Sequence, residues 1–273
     1  MLNKGVRIWV VAILILGQAQ AAWGEGQGDE GVSQPLQEVF QTEVVYPQEK
    51  GEVQLTLSPR YQEGDSQDQI ILPLTIEYGL TDAWQIELEW DAFSHRNPTT
   101  GANTNGIGDL EFGTKYSFMN VADSNFHIAP GLGFGFPVGD PEKGLGEGML
   151  EMEPFVSMAY DLPNLNNSQI FTQVAFGYVN RLRGDEEEAH EITWNAGFFI
   201  PVGPVRLTSE FNWSTNKWND GDEDNRFITP GFVWDLPGTW EVGAGAPIGL
   251  NSESDNFRLI GMLTYEFDVL SEE

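Results

Sequence analysis

The chain contains no cysteine, so neither a disulfide framework nor a lipid-modified cysteine is open to it. Positive charge is scarce: 13 Lys and Arg stand against 42 Asp and Glu, a formal charge of −29 at pH 7, and this excludes nucleic acid as a partner. There are only 3 histidines in 273 residues, which leaves acid–base and metal chemistry few side chains to draw on. Long apolar runs are missing too. The longest, Ile8–Leu16, falls far short of the roughly 20 residues of a membrane-spanning helix, so any embedding in lipid has to use strands of a closed sheet. Aromatic side chains, in contrast, are plentiful: 9 Trp, 17 Phe and 7 Tyr give too much apolar surface for an acidic disordered chain.

Lys4 and Arg7, the run Ile8–Leu16 and the small residues of Ala19-Gln20-Ala21 predict a secretory signal peptide over 1–21. A membrane anchor is the alternative, and its apolar run is too short. Residues 22–50, rich in Gly, Gln and Glu, read as a flexible periplasmic N-terminal segment. Pro35-Leu36 and Val39-Phe40 leave a plug inside a barrel as the other possibility.

Beyond residue 50 the sequence alternates. Trp84, Ile86, Leu88 and Trp90 fall on one face of a strand, while Gln85, Glu87, Glu89 and Asp91 fall on the other. One face suits lipid and the other suits water. Comparable segments at 51–62, 68–80, 83–95, 107–120, 126–138, 149–162, 168–182, 191–203, 205–217, 226–236, 239–250 and 257–269 predict an all-β, transmembrane, antiparallel up-and-down β-barrel of about twelve strands over 51–273. Short Gly/Pro/Asn/Asp turns such as Leu80-Thr81-Asp82 and Leu236-Pro237-Gly238 alternate with longer polar connections such as Arg96–Gly106 and Gly139–Gly148. Outer-membrane barrels place short turns in the periplasm and longer loops outside, which puts both termini in the periplasm. Tyr78, Trp90, Tyr116, Trp194, Trp213, Trp234, Trp240 and Tyr265 sit near strand ends, where interfacial aromatic belts lie. A secreted β-sandwich is the competing fold, and it would have to hide all of these rings in a thin layer.

Tyr78-Gly79-Leu80-Thr81-Asp82, the stretch Gly106–Tyr116 and Phe136-Pro137-Val138-Gly139-Asp140 resemble segments of outer-membrane β-barrels assigned to transport in the phenol meta-cleavage pathway. The resemblance runs from about Glu43 to Phe267. It implies a porin-like barrel that moves small molecules, and it carries over no substrate and no catalytic residue.

The alternation assigns Glu77, Glu87, Glu89, Asp91, Asp109, Glu111, Lys115, Glu151, Glu153, Arg206, Glu210, Glu241 and Arg258 to the lumen. A wall of mostly carboxylates concentrates cations and opposes anions. The alternative use of the same residues is a set of salt bridges that packs the lumen shut. Gly131, Gly133 and Gly135 on one strand, and Gly243, Gly245 and Gly249 on another, leave the inner wall bare, either for a passage or for close approach of another segment.

Enzyme signals are poor. His127 points inward near the periplasmic end, His190 follows an acidic loop, and His95 and its neighbour Ser94 face opposite sides of a strand. Asp220, Asp222 and Asp224 imitate the start of a calcium loop, which fails at Asn225 and Gly231. No cofactor and no metal site is expected. The sequence thus predicts a porin-like channel or transporter for passive passage of small solutes, either cation-preferring or taking hydrophobic and aromatic compounds. A structural or surface-anchoring barrel and an outer-membrane hydrolase are the alternatives. The partners expected are outer-membrane lipid and lipopolysaccharide, the solute, and the barrel-assembly machinery during biogenesis.

Overall fold

The computed structural model of the protein describes Leu36 and residues 38–64, 66–182, 190–218 and 223–269. The expected signal peptide, residues 22–35, the loop around Asp185, and Asp220 and Asp222 of the calcium-like stretch lie outside these.

The described residues form a closed antiparallel barrel of twelve strands. In chain order they are Glu52–Leu57 continued by Arg60–Glu63, Gln67–Thr81, Trp84–Pro98, Thr104–Gly106 continued by Leu110–Tyr116, Phe126–Phe136, Met149–Leu162, Ser168–Arg181, Glu191–Val202, Val205–Thr215, Asp224–Asp235, Trp240–Gly245 continued by Ile248–Gly249, and Phe257–Asp268. Each pairs with its sequence neighbours. The barrel shuts where the first strand meets the last, with Val53 opposite Phe267 and Leu57 opposite Leu263. Closure leaves no unpaired edge, the condition for placing strands in hydrocarbon.

Three expected strands are interrupted, two of them at a proline that has no N–H to donate. The first breaks at Ser58-Pro59, and the Pro59 carbonyl accepts from Gly261 N at 2.8 Å. The eleventh breaks at Ala246-Pro247. In the fourth, residues 107–109 bulge, and Gly108 and Asp109 exchange main-chain bonds with Asp91. Residues expected to extend that strand to 120 instead enter a turn in which Asn120, Ala122 and Asp123 take positive φ.

The alternation read from the sequence holds through the ladder. Leu88, Phe112, Phe134 and Met152 lie opposite one another in successive strands, and three of them are exposed on the outer face. Trp84 and Trp194 also face out, and their indole N–H groups donate to Thr114 Oγ1 at 2.7 Å and Thr172 Oγ1 at 3.0 Å. In lipid such a donor needs a partner, and a β-branched hydroxyl on the neighbouring strand supplies one. One irregularity re-aims a strand. The pairing of the second and third strands shifts between Leu72 and Pro73, so that Ala92 is extra and Ser94 and Arg96, rather than Phe93 and His95, turn inward.

The N-terminal segment departs from the expectation of a flexible periplasmic lead-in. Leu36, Phe40, Thr42, Val44, Val45, Tyr46 and Gln48 are buried inside the barrel. Leu36, Phe40, Val45 and Tyr46 form one apolar cluster with inward residues of the wall, among them Ala129, Ala159, Phe171, Phe199, Val233 and Met262. Burial of this apolar set outweighs the freedom that a Gly- and Gln-rich composition suggested.

Candidate functional site

The lumen is the candidate site, and the N-terminal segment divides it. From Lys50 the segment enters at the short-turn end and follows the inside of the wall. Gln48 N donates to Gln85 on the third strand at 2.8 Å, and Lys115 of the fourth reaches the Val44 carbonyl at 3.1 Å. The Tyr46 ring lies 5.9 Å from that of His127 on the fifth strand, and Ser157 on the sixth donates to the Glu43 carbonyl. Glu43 N donates to Gln173 on the seventh, and Asn195 on the eighth donates to the Gln41 carbonyl. Glu210 on the ninth accepts from Phe40 N at 3.0 Å, Gln41 N at 3.1 Å and Thr42 Oγ1 at 2.7 Å. The circuit closes at Glu38, which accepts from Gln54 and Thr56 on the first strand.

Inward glycines make room for this circuit. A Cβ at Gly79 would overlap the Glu49 carbonyl, and Cβ atoms at Gly231 and Gly245 would fall on the Phe40 ring. Gly131 clears the ring of Phe155, and Gly249 clears the backbone of Asp255. Close approach, rather than an open passage, therefore explains most of the inward glycines. Gly133 differs: the nearest atoms to a Cβ there are 3.7 Å away, on Glu153.

The thirteen residues assigned to the lumen serve different ends. Arg206 and Glu241 are buried near the short-turn end as an ion pair that also takes in Asp235. Glu210 is fully buried under the N-terminal segment. Lys115, 3% exposed in its side chain, meets Glu43 at 2.5 Å. Glu77 accepts from both Gln54 and Gln85, and Gln54 also bridges it to Glu38. Asp109 is engaged by a connection between strands. Its two oxygens accept from Gly139 N and Glu147 N, each at 2.8 Å, and so hold the connection between the fifth and sixth strands. In the same connection Lys143 lies 2.7 Å from Asp140 and holds its carboxyl below the ordinary carboxylate range.

The remaining acids gather toward the long-loop end. Glu87 lies in register with Gly113, Gly133 and Glu153, and one step along the barrel Glu89 lies in register with Glu111, Gly135 and Glu151. A cavity of about 440 Å³ opens there, with Glu87, Glu89, Glu111 and Glu153 in its wall and Glu38–Val44 of the N-terminal segment on its flank. Asp91 continues the same face toward the loops, beside Gly108. Two arginines reach the cavity and both are engaged: Arg60 with Glu89 at 3.2 Å, and Arg258 with Asp255 at 2.8 Å and over the Phe227 ring. The carboxyl groups of Glu87, Glu111, Glu151 and Glu153 make no hydrogen bond or ion pair among the described residues. Local pairing thus leaves four carboxyl groups of the wall without a partner among the described residues and ties down both arginines.

Among the described residues the histidines bring together no nucleophile and base. His127 Nδ1 accepts from Asn120 N at 3.0 Å, which leaves Nε2 to donate to Asp161 at 2.8 Å, so the ring ties a turn to the wall. His190 stacks on Tyr178 at 4.5 Å, and Ser94 is buried inward while His95 lies on the outward side. Asp224, the described member of the calcium-like stretch, is bonded by Arg226 and Trp213.

Residues 88–267 match the model of the family described as "Putative MetA-pathway of phenol degradation". The chain belongs to this family. A comparison with curated proteins gave no match. Among solved structures, an outer membrane channel from Pseudomonas putida F1 superposes with a TM-score of 0.65 at 12% identity, covering 84% of this chain and 100% of that one. The KdgM porin in complex with disordered oligogalacturonate gives 0.53 at 10% identity, covering 78% and 99%. The β domain of the Bordetella autotransporter BrkA gives 0.50 at 13% identity, covering 79% and 98%. At such identities the likeness concerns the fold, and the fold is that of an outer-membrane barrel.

The sequence offered a plug at Leu36 and Phe40 only as the alternative to a flexible lead-in, and it did not show the circuit that the segment makes along the wall. A signal was present: Phe40 and the inward glycines on the tenth and eleventh strands are complementary in volume, although no local pattern ties them together across about 200 residues of sequence.

Proposed function

We propose that the protein is a passive channel for small solutes across the outer membrane, with a vestibule that favours cations. The observation that carries this reading is a row of four carboxylates without partners among the described residues: Glu87, Glu111 and Glu153 in the wall of the cavity of about 440 Å³, and Glu151 in register with Glu111 beside it, while the nearby arginines are engaged. In a low-dielectric barrel such a row raises the local concentration of cations and opposes anions. The Pseudomonas putida relative by fold is described as an outer membrane channel and KdgM as a porin, which agrees with transport. Exchange of all four acids for Gln keeps their size and removes the charge. The reversal potential across a planar bilayer in a salt gradient should then lose its cation preference while conductance persists. In the parent protein that preference should fade as the Debye length falls from about 10 Å at 0.1 M salt to about 3 Å at 1 M. An unchanged reversal potential would remove these acids from the ion path.

A second reading, a structural barrel closed for good, is favoured by the N-terminal circuit that lines the short-turn half. It predicts no conductance in any variant.

The short-turn end belongs in the periplasm under this proposal, with lipid and lipopolysaccharide around the wall and the barrel-assembly machinery inserting it. Cysteines placed at Thr100 and Glu142, both exposed at the long-loop end, should react with an impermeant thiol reagent on intact cells. Cysteines at Asp82 and Asn166, exposed at the other end, should stay unlabelled until the outer membrane is permeabilised. The native chain has no cysteine to confuse the result. Labelling of both pairs alike would overturn the orientation.

A further inference from the structure

We propose that Leu36 and residues 38–50 are a displaceable floor of the lumen, latched in place by the Glu210 carboxylate; this rests on the channel reading above. Barrel strands are held by continuous main-chain ladders, and the segment has none. Its main chain is bonded by wall side chains: Glu210 takes Phe40 N and Gln41 N, Gln173 takes Glu43 N, and Gln85 takes Gln48 N. Asn195, Ser157 and Lys115 donate to the carbonyls of Gln41, Glu43 and Val44. Each bond can be exchanged for water one at a time, whereas a strand leaves a sheet only by breaking a whole row.

Glu210 dominates this set. It is 0% exposed, and its two oxygens accept three bonds from three consecutive residues, the strongest grip the wall has on the segment. Next to it the Phe40 ring fills the notch left by Gly231, Gly243 and Gly245. Packing, with no covalent bond, is what holds the ring in this notch. The cavity of about 440 Å³ lies against the flank from Glu38 to Val44, so movement of that stretch extends the cavity toward the short-turn end. The residues that gate and size the passage are therefore Phe40 to Glu43, with Glu210 as their positioning residue.

Two readouts on the full-length protein test the latch separately from transport. Leu36, 0% exposed, is changed to Cys and its reaction with a small charged thiol reagent is timed in the folded barrel. Adding Glu210→Gln replaces one acceptor with a donor that faces N–H groups, and the labelling rate should rise about tenfold or more. Thr42→Val, which removes one of the three bonds, serves should Glu210→Gln fail to fold. Second, Phe40→Cys with Gly245→Cys builds a lock. A Cβ at residue 245 stands 2.5 Å from the present Phe40 Cγ, and this places the two Cβ atoms within disulfide reach. Conductance in a planar bilayer should drop on oxidation and return on reduction. Equal labelling of Leu36→Cys in both backgrounds, or equal non-zero conductance in the oxidised and reduced lock, would overturn the displaceable floor. Faster labelling with Glu210→Gln but silence in the bilayer from every form would keep the latch and overturn the channel reading.

Discussion

Arginine at Leu88 or Phe134 should destabilise the barrel by about 2 to 4 kcal/mol each, whereas arginine at Trp84 should cost only about 0 to 1 kcal/mol. Leu88 and Phe134 lie within the row that runs Leu88, Phe112, Phe134, Met152 across four strands on the outer face. A guanidinium there has to sit in hydrocarbon or drag water to itself. Trp84 begins its strand beside the turn Asp82-Ala83, so a long side chain at that place snorkels to the headgroups. Equilibrium unfolding in urea with the barrel folded into lipid vesicles measures the difference. Equal costs at all three positions would mean that the wall faces something other than a bilayer.

Lys115→Met should cost about 3 kcal/mol or more, a larger loss than its modest change of volume suggests. Its ammonium is the one cation placed on the N-terminal segment among the described residues, bonded to Glu43 and to the Val44 carbonyl. Glu38 and Glu77, bridged by Gln54, lie nearby in the same half of the lumen. Removal of the positive charge leaves carboxylates facing one another with little water between them. Lys115→Arg should recover part of the loss and Lys115→Met with Glu43→Gln more of it, because the double change removes one anion together with its counter-charge. Unfolding in urea reads all three. A double variant as unstable as Lys115→Met alone would show that Glu43 is not the partner that matters.

The barrel was legible in the sequence because its rule is local. Side chains alternate with a period of two residues, lipid selects every second one, and the strand ends fall where Gly, Pro, Asn and Asp gather. The inward direction of Glu87, Glu111 and Glu153 followed from that rule alone. Their roles did not, since a role depends on what arrives from elsewhere in the chain. Asp109 looked the same as Glu111 in the pattern, yet the backbone of Gly139 and Glu147 folds onto it. Glu210 looked like a further lumenal acid, and three residues of the N-terminal segment claim it. The segment itself carries no periodicity because it forms no regular element: the wall reads its main chain through Asn, Gln, Ser and Glu side chains at scattered positions. Even Ser94 and Arg96 point inward for a reason outside the alternation, the single extra residue at Ala92.

The seam between the first and last strands has a consequence for the order of events as the barrel forms. Val53 waits for Phe267, and until the last strand arrives the ring is an open sheet. The N-terminal segment is made before any of its seats, yet Thr229, which Gln41 reaches, and Gly245, which clears Phe40, come near the end of the chain. Contacts so distant in sequence form slowly, because loop closure has to precede them. A segment made early is thus among the last to settle.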